Sequence, residues 1–295
     1  MNAEINCTSE NGINGTSGEE EVLKQIRKEI FLTAYSAGIA HIASAFSIVE
    51  VMYVLYEKGI LRYDCRNPLA EDRDCFILSK GHGSLALYCE LYRAGFFDRS
   101  TLRSFAKPDS ILGGEPCYPL TPGVECSTGS LGHGLSYAAG LALAKKMDGR
   151  REKVYCLLGD GECEEGTVWE AVMCAVSQEL HNLTILVDQN RLQKMDTVES
   201  IVGISSWQSY FMQCGCDTRC VQGHDVKAIE ECLKEDNITN SPRVILLETV
   251  KGKGVYVMEN DKKWHFKLPN RRELKIFMKE LDISEEEIAA CRKPM

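Results

Sequence analysis

Residues 154–161 read Val154-Tyr155-Cys156-Leu157-Leu158-Gly159-Asp160-Gly161. An unbroken apolar run closed by a glycine-flanked carboxylate describes a strand buried on both faces that ends in a polar loop. The same composition recurs at Leu183–Asp188, which runs on into Gln189-Asn190, and at Val244–Thr249. Thr218–Val221 is a fourth β-type run. Helix-patterned stretches, notably Val168–Gln178 and Lys227–Lys234, separate these runs. Alternating strands and helices predict an α/β fold: a parallel sheet flanked by helices on both faces.

Upstream, Val22, Ile26, Ile30 and Ala34 recur every four positions and predict a helix over Glu19–Ala37. Ser47-Ile48-Val49-Glu50 has the spacing of a capping box, which would open a second helix running to about Lys58. A short apolar run over Asp74–Ser79 leads into Lys80-Gly81-His82-Gly83, and Leu85–Tyr92 reads as helical. Between Gly129 and Met147, Gly129, Gly132, Gly134 and Gly140 sit among alanines and leucines, a composition that permits close backbone approach. Residues 1–18 are polar and read as a disordered tail, and residues 19–270 as one α/β domain. Residues 271–295 read as a peripheral helical extension whose Lys and Glu clusters are solvated faces.

The formal net charge of −9 argues against a nucleic-acid groove or an anionic membrane surface, though not against a local basic pocket for phosphate. No uncharged apolar run is long enough to span a membrane. The 14 cysteines are scattered, and the first twenty residues lack an apolar signal core, so the thiols are expected to be reduced and the protein cytoplasmic. In that compartment the Asn-x-Thr sequons at Asn6, Asn14, Asn182 and Asn237 carry no meaning. Cys214, Cys216 and Cys220 have a spacing that invites zinc, but with no evident fourth ligand the plainer reading is three reduced thiols.

Ligands of an open parallel sheet bind at the carboxyl ends of its strands. Asp160 follows one apolar run and Asn190 the next, so the two should lie on adjacent loops. A carboxylate oxygen, an amide oxygen and a backbone carbonyl near Leu192 suit a hard divalent cation such as Mg²⁺, which readily shares its site with phosphate. A Gly-Asp-Gly alone is a turn signal. The strands that precede both Asp160 and Asn190 are what make the pair a candidate site.

Gly159-Asp160-Gly161 followed by Asn190 resembles the thiamine-diphosphate motif, and the surrounding segments resemble the transketolase family. These are Glu164-Glu165-Gly166, Ser79 through Ser84, Thr121 through Gly132, and Lys251-Gly252-Lys253-Gly254 through Trp264-His265, in the family's order. The resemblance covers about Glu20 to Asn270. It implies a thiamine-diphosphate-binding (PP-type) domain in which Asp160, Asn190 and the Leu192 carbonyl hold Mg²⁺, with Ca²⁺ or Mn²⁺ as possible substitutes. Gly159 and Gly161 would line the diphosphate. His82 and His265 would reach the diphosphate and the reaction centre, and His41 the donor substrate. Gly129 and Leu131 would offer backbone contacts to the aminopyrimidine. Glu165 and Glu170 match acidic residues at the interface between paired active sites. His133, His181 and His224 are read as structural.

The family's second domain, which binds the pyrimidine and supplies the activating glutamate, has no counterpart in this sequence. The resemblance therefore implies the N-terminal subunit of a split transketolase, partnered in an α2β2 assembly by a C-terminal transketolase subunit that carries the pyrimidine-binding domain. Such an enzyme moves a two-carbon ketol unit from a ketose to an aldose, both sugars or sugar phosphates. The alternatives are the alpha subunit of a 2-oxo-acid dehydrogenase or another decarboxylating thiamine enzyme, and a non-catalytic scaffold. Two departures from the family pattern bear on the donor. Gly114-Glu115-Pro116 stands where relatives carry Gly-His-Pro, and Phe266 stands where glycine usually follows the histidine.

Overall fold

The computed structural model describes residues 16–39 and 41–291. Its strands are β1 (Cys75–Leu78), β2 (Val154–Gly159), β3 (Leu183–Gln189), β4 (Asp217–Gln222) and β5 (Arg243–Glu248). They form one sheet in the order β1-β2-β3-β5-β4, and every pair is parallel. The described helices before β2 are α1 (Thr16–Ala37), α2 (Ile42–Phe46), α3 (Val49–Glu57), α4 (Ser84–Arg93), α5 (Arg99–Arg103) and α6 (His133–Met147). After it come α7 (Gly166–Ser177), α8 (Val198–Val202), α9 (Trp207–Gln213), α10 (Val226–Lys234), α11 (Arg271–Glu280) and α12 (Glu285–Cys291).

Strand side chains alternate between two cores, as the pleat dictates. Tyr155 and Leu157 of β2, Leu186 of β3 and Ile245 and Leu247 of β5 join the core built with α1 to α4 and α10 to α12. Cys156 and Leu158, Ile185 and Val187, and Val244 and Leu246 join the opposite core, with Leu135 of α6, Val172 of α7 and Phe211 of α9. Each large apolar side chain so buried contributes about 1.5–3 kcal/mol relative to exposure. The predicted α/β architecture is therefore the observed one, with a fifth strand. β1 has only four residues, all buried, and the register Cys75↔Val154 places it beside β2. Asp74 fastens its entry by accepting from the amides of Arg62 (3.0 Å) and Lys153 (2.7 Å).

Two local expectations are corrected. The capping box at Ser47 and Glu50 does not form, and α3 begins at Val49 without a side-chain cap. Ser47 Oγ instead donates to Asp188 (2.7 Å), and Glu50 accepts from Arg27 (2.6 Å), both far away in sequence. A tertiary partner for each side chain outcompetes the local one. The helices beyond residue 270 expose most of their charged residues, as expected, but they pack on the core rather than lie apart from it as a tail. Phe277 of α11 is fully buried, its ring 4.8 Å from Phe31 and 5.3 Å from Trp264. α11 carries a true capping box, Asn270 with Glu273. The polar tail expected over residues 1–18 lies outside the described residues up to residue 15, and α1 already begins at Thr16. Among the described residues, no helix is long and apolar enough to cross a membrane.

Glu90 of α4 is fully buried in the larger core. Burial, reinforced by the charge of Glu57, raises its pKa well above the ordinary carboxylate range despite Arg93. The folded state therefore holds a proton that the unfolded chain releases. Above the unfolded pKa, stability falls as pH rises towards the folded value, by at most about 1.4 kcal/mol per pH unit. Glu90→Gln is expected to flatten that slope and to raise the denaturation midpoint at pH 8 more than at pH 5. Chemical denaturation at the two pH values measures it, and equal shifts would refute it.

Candidate active site

The carboxyl ends of β1, β2, β3 and β5 all deliver polar residues to one edge of the sheet. Asp160 leaves β2 and Asn190 leaves β3, on adjacent strands as expected. Asp160 Oδ1 accepts from the Gly161 amide (2.8 Å), and Oδ2 accepts from the Arg191 amide. Asn190 Oδ1 accepts from the Leu192 amide at 3.1 Å. The three expected metal ligands thus belong to two loops stitched to each other. Burial, then the charge of Asp188, pushes Asp160 up to about 7. A buried carboxylate so destabilised fits a place beside a cation. The donor set is all oxygen, which fits Mg²⁺ better than zinc. Among the described residues, no three His, Cys, Asp or Glu side chains gather as a metal group. Cys214, Cys216 and Cys220 accordingly do not converge; Cys216 is buried and Cys220 is exposed on β4.

Asp188, which no sequence signal singles out, organises the edge. It is fully buried at the end of β3, and its Oδ2 accepts from Ser47 Oγ (2.7 Å), Lys80 Nζ (2.5 Å) and Asn190 Nδ2 (2.9 Å). Its Oδ1 accepts from Thr249 Oγ1. Burial alone would raise its pKa, but the Lys80 charge and these donors outweigh burial and hold it below the ordinary value. Glu162 plays the same part nearby, accepting from Ser79 Oγ (2.5 Å) and from the amides of Gly132 (2.8 Å) and Gly159 (3.0 Å).

His41, His82 and His265 meet above this floor. Their ring centroids are 5.7 Å apart for His41–His82, 5.7 Å for His41–His265 and 5.8 Å for His82–His265. His41 precedes α2, His82 sits in the single turn Gly81–Gly83, and His265 lies in the turn Lys262–Phe266. Lys251, the first residue of the Lys251–Gly254 segment, places its Nζ 3.1 Å from the Leu192 carbonyl oxygen and 3.1 Å from His265 Nδ1. Burial and then Lys80 lower Lys251 to about 8. Burial and then Lys251 lower His265 to about 4, and His82 falls well below its ordinary value through burial and Lys80. Positive groups are thus crowded around neutral imidazoles, an arrangement that an incoming polyanion would relieve.

The glycine loop closes the other wall. Gly129 has φ +132°, and a Cβ there would lie 1.9 Å from Glu115 Oε2. The Glu115 carboxylate therefore rests on the residue expected to face the aminopyrimidine. A Cβ on Gly81 would lie 2.8 Å from the Gly129 amide nitrogen, so the His82 turn and the Gly129 loop touch. Leu131 is half-buried in the same loop. A Cβ on Gly161 would meet Gln193 at 2.7 Å. Phe266 is 62 % exposed, and its ring stands 4.8 Å from that of His41. Glu165 and Glu170 are exposed beside and on α7, respectively, and Glu165 lies against Gly132. His224 accepts from the Val250 amide (2.8 Å) and lies 3.0 Å from Glu50, in a structural network.

A parallel sheet with oxygen donors, buried lysines and three imidazoles gathered at its carboxyl edge fits an α/β protein that binds a diphosphate cofactor. Residues 19–287 match the family profile described as "Transketolase, thiamine diphosphate binding domain". The chain belongs to the transketolase family, whose members are thiamine-dependent transferases. It is 36 % identical to an apulose-4-phosphate transketolase subunit of Actinobacillus succinogenes, over 89 % of this chain and 95 % of that one. It is 34 % identical to the 6-deoxy-6-sulfo-D-fructose transketolase subunit SqwG of a Clostridium species, over 79 % and 85 % respectively. Against human transketolase it is 34 % identical but spans only 39 % of that protein. The Campylobacter jejuni transketolase structure superposes with a TM-score of 0.82 at 25 % identity, covering 92 % of this chain and 45 % of the other.

Proposed function

We propose that this chain is the cofactor-holding subunit of a two-chain transketolase that moves a two-carbon ketol unit from a ketose to an aldose. The observation that carries the reading is the convergence of Asp160, Asn190 and the Leu192 carbonyl with Lys251 and three imidazoles at one sheet edge. Asp160, Asn190 and Leu192 would hold Mg²⁺, and Gly159, Gly161, His82, His265 and Lys251 would surround the diphosphate. Bound there, thiamine diphosphate supplies an electron sink that stabilises the transferred carbanion equivalent. Lys251 offers a cation to the phosphate oxygens. His41 and His265, neutral near pH 7, can each accept a proton from a substrate hydroxyl or donate a hydrogen bond to a carbonyl oxygen. Phe266 and His41 together shield that side of the groove from water. Titration of thiamine diphosphate with Mg²⁺ onto the chain and its partner tests the reading; no saturable binding would leave only a scaffold.

The partner is the C-terminal subunit bearing the pyrimidine-binding domain, in an α2β2 assembly. The names of the two relatives called subunits support a partner chain. The surface fits: exposed Tyr137 of α6 and exposed Met173 of α7 lie on helices that pack together, the second of which also carries exposed Glu170. That mix of apolar residues and a carboxylate suits a buried contact between chains.

The donor is proposed to differ from ordinary pentulose and hexulose phosphates. Glu115 accepts hydrogen bonds and donates none while ionised, which inverts the polarity of the family's histidine at that position. The relatives named for apulose 4-phosphate and 6-deoxy-6-sulfo-D-fructose support an unusual donor. Glu115→His is expected to raise kcat/KM for xylulose 5-phosphate by about tenfold, the worth of one good hydrogen bond. Full wild-type activity on that donor, unchanged by the substitution, would rule this out.

A further inference from the structure

A cavity of about 440 Å³ lies outside the site above. It opens at the amino-terminal edge of the sheet, among the starts of β2, β3 and β5. β3 runs from one site to the other, which separates them by about 20 Å. One wall is cationic. Arg151 and Lys153, between α6 and β2, have side chains with no ion pair or hydrogen bond among the described residues. Lys146, at the end of α6, gives its ammonium to the carbonyls of Gln178 (2.7 Å) and Glu179 (3.0 Å), so its charge is uncompensated.

The facing wall differs. Arg243 is neutralised by Asp217 at 2.9 Å, and the loop after α10 contributes Glu235 and Asp236. Between the walls stands Thr184, the one half-buried residue between Leu183 and Gln189 in an otherwise buried strand. Its hydroxyl has no hydrogen-bond partner among the described residues and lines the cavity. Three unpaired cations in one concavity of a chain with net charge −9 call for an anion. Carboxylates and a hydroxyl opposite them call for hydrogen-bond donors on the same molecule.

We propose that this cavity is a second ligand site, taking a small hydroxylated phosphate ester with its phosphate on Arg151 and Lys153 and its hydroxyls towards Thr184 and Asp236. The volume lies in the range of about 300–1,000 Å³ usual for small-molecule sites. A nucleoside monophosphate and a sugar phosphate share this chemistry.

Calorimetry on the full-length chain at near-physiological salt, with thiamine diphosphate and Mg²⁺ already saturating, tests the proposal. The probes are AMP, ribose 5-phosphate and inorganic phosphate. One of the two esters is expected to bind saturably at one equivalent, and the stronger of them identifies the source. The double variant Arg151→Glu/Lys153→Glu is expected to weaken it more than about tenfold, as loss of charge-assisted hydrogen bonds does, while thiamine diphosphate affinity stays unchanged. Thr184→Val, a near-isosteric change, should weaken the ester but not inorganic phosphate. Absence of saturable ester binding, equal binding of inorganic phosphate, or ester binding unaffected by the double variant would each overturn it. None of these outcomes depends on ketol transfer, so the proposal can fail while the catalytic reading stands.

Discussion

Asp160→Ala is expected to abolish metal-dependent binding of thiamine diphosphate, with an affinity loss of at least about 100-fold, the upper end for altered metal surroundings. Three effects act in one direction. The substitution deletes the only charged ligand of the proposed cation and leaves the diphosphate undercompensated. It also orphans the amides of Gly161 and Arg191, which donate to the two carboxylate oxygens. The loops after β2 and β3 thereby lose their cross-link. Asp160→Asn separates these effects, because an amide keeps one acceptor oxygen and forfeits the charge. Asn190→Ala should approach the same phenotype. Calorimetry on the assembled enzyme with and without Mg²⁺ measures all three variants. Wild-type affinity in Asp160→Ala would sink the metal assignment.

The second large effect concerns the chain on its own. Purified without its partner, it is expected to show no measurable ketol transfer, and the C-terminal subunit should restore turnover at a defined stoichiometry. The glutamate that drives deprotonation of the cofactor's ring carbon is expected to come from the partner, because the buried carboxylates of the groove are already committed. The nearest ones, Asp160, Asp188 and Glu162, are buried and committed to amides, Lys80 or Ser79. Sedimentation and steady-state assay of each chain, separately and mixed, give the result. Robust turnover by this chain alone would show that it carries the whole catalytic apparatus.

The legible parts of the sequence are those whose signal is local. Val154–Leu158 and Leu183–Asp188 announce buried strands by composition, and the residues that end them, Asp160 and Asn190, do lie on adjacent loops as their positions imply. β1 is harder because four residues next to Arg73-Asp74 carry too little pattern to separate strand from turn. The pairing of Asp188 with Lys80 is invisible for another reason. Lys80 stands in a glycine motif and Asp188 looks like an ordinary strand-end polar residue, and only the fold brings them together across 108 positions. Lys251 opens a glycine-rich motif, but its contact with Leu192 spans 59 positions, and no spacing rule anticipates it. The false capping box at Ser47 and Glu50 is the converse case, a valid local signal overruled by distant partners. The helices after residue 270 look solvated because charged residues outnumber the buried ones. Leu274, Phe277 and Leu281 nonetheless recur at helical spacing, a stripe that marks their buried face.

The carboxylate of Asp188 takes hydrogen bonds from Ser47, Lys80, Asn190 and Thr249, which belong to four separate stretches of chain. In thermodynamic terms, those stretches surrender their freedom when the protein folds rather than when the cofactor arrives. Capture of thiamine diphosphate then meets a floor already in place, and the conformational cost left to binding falls on the peripheral groups. The corollary is kinetic. Association should be limited by entry into the groove and by assembly with the partner, not by a slow rearrangement of the metal corner.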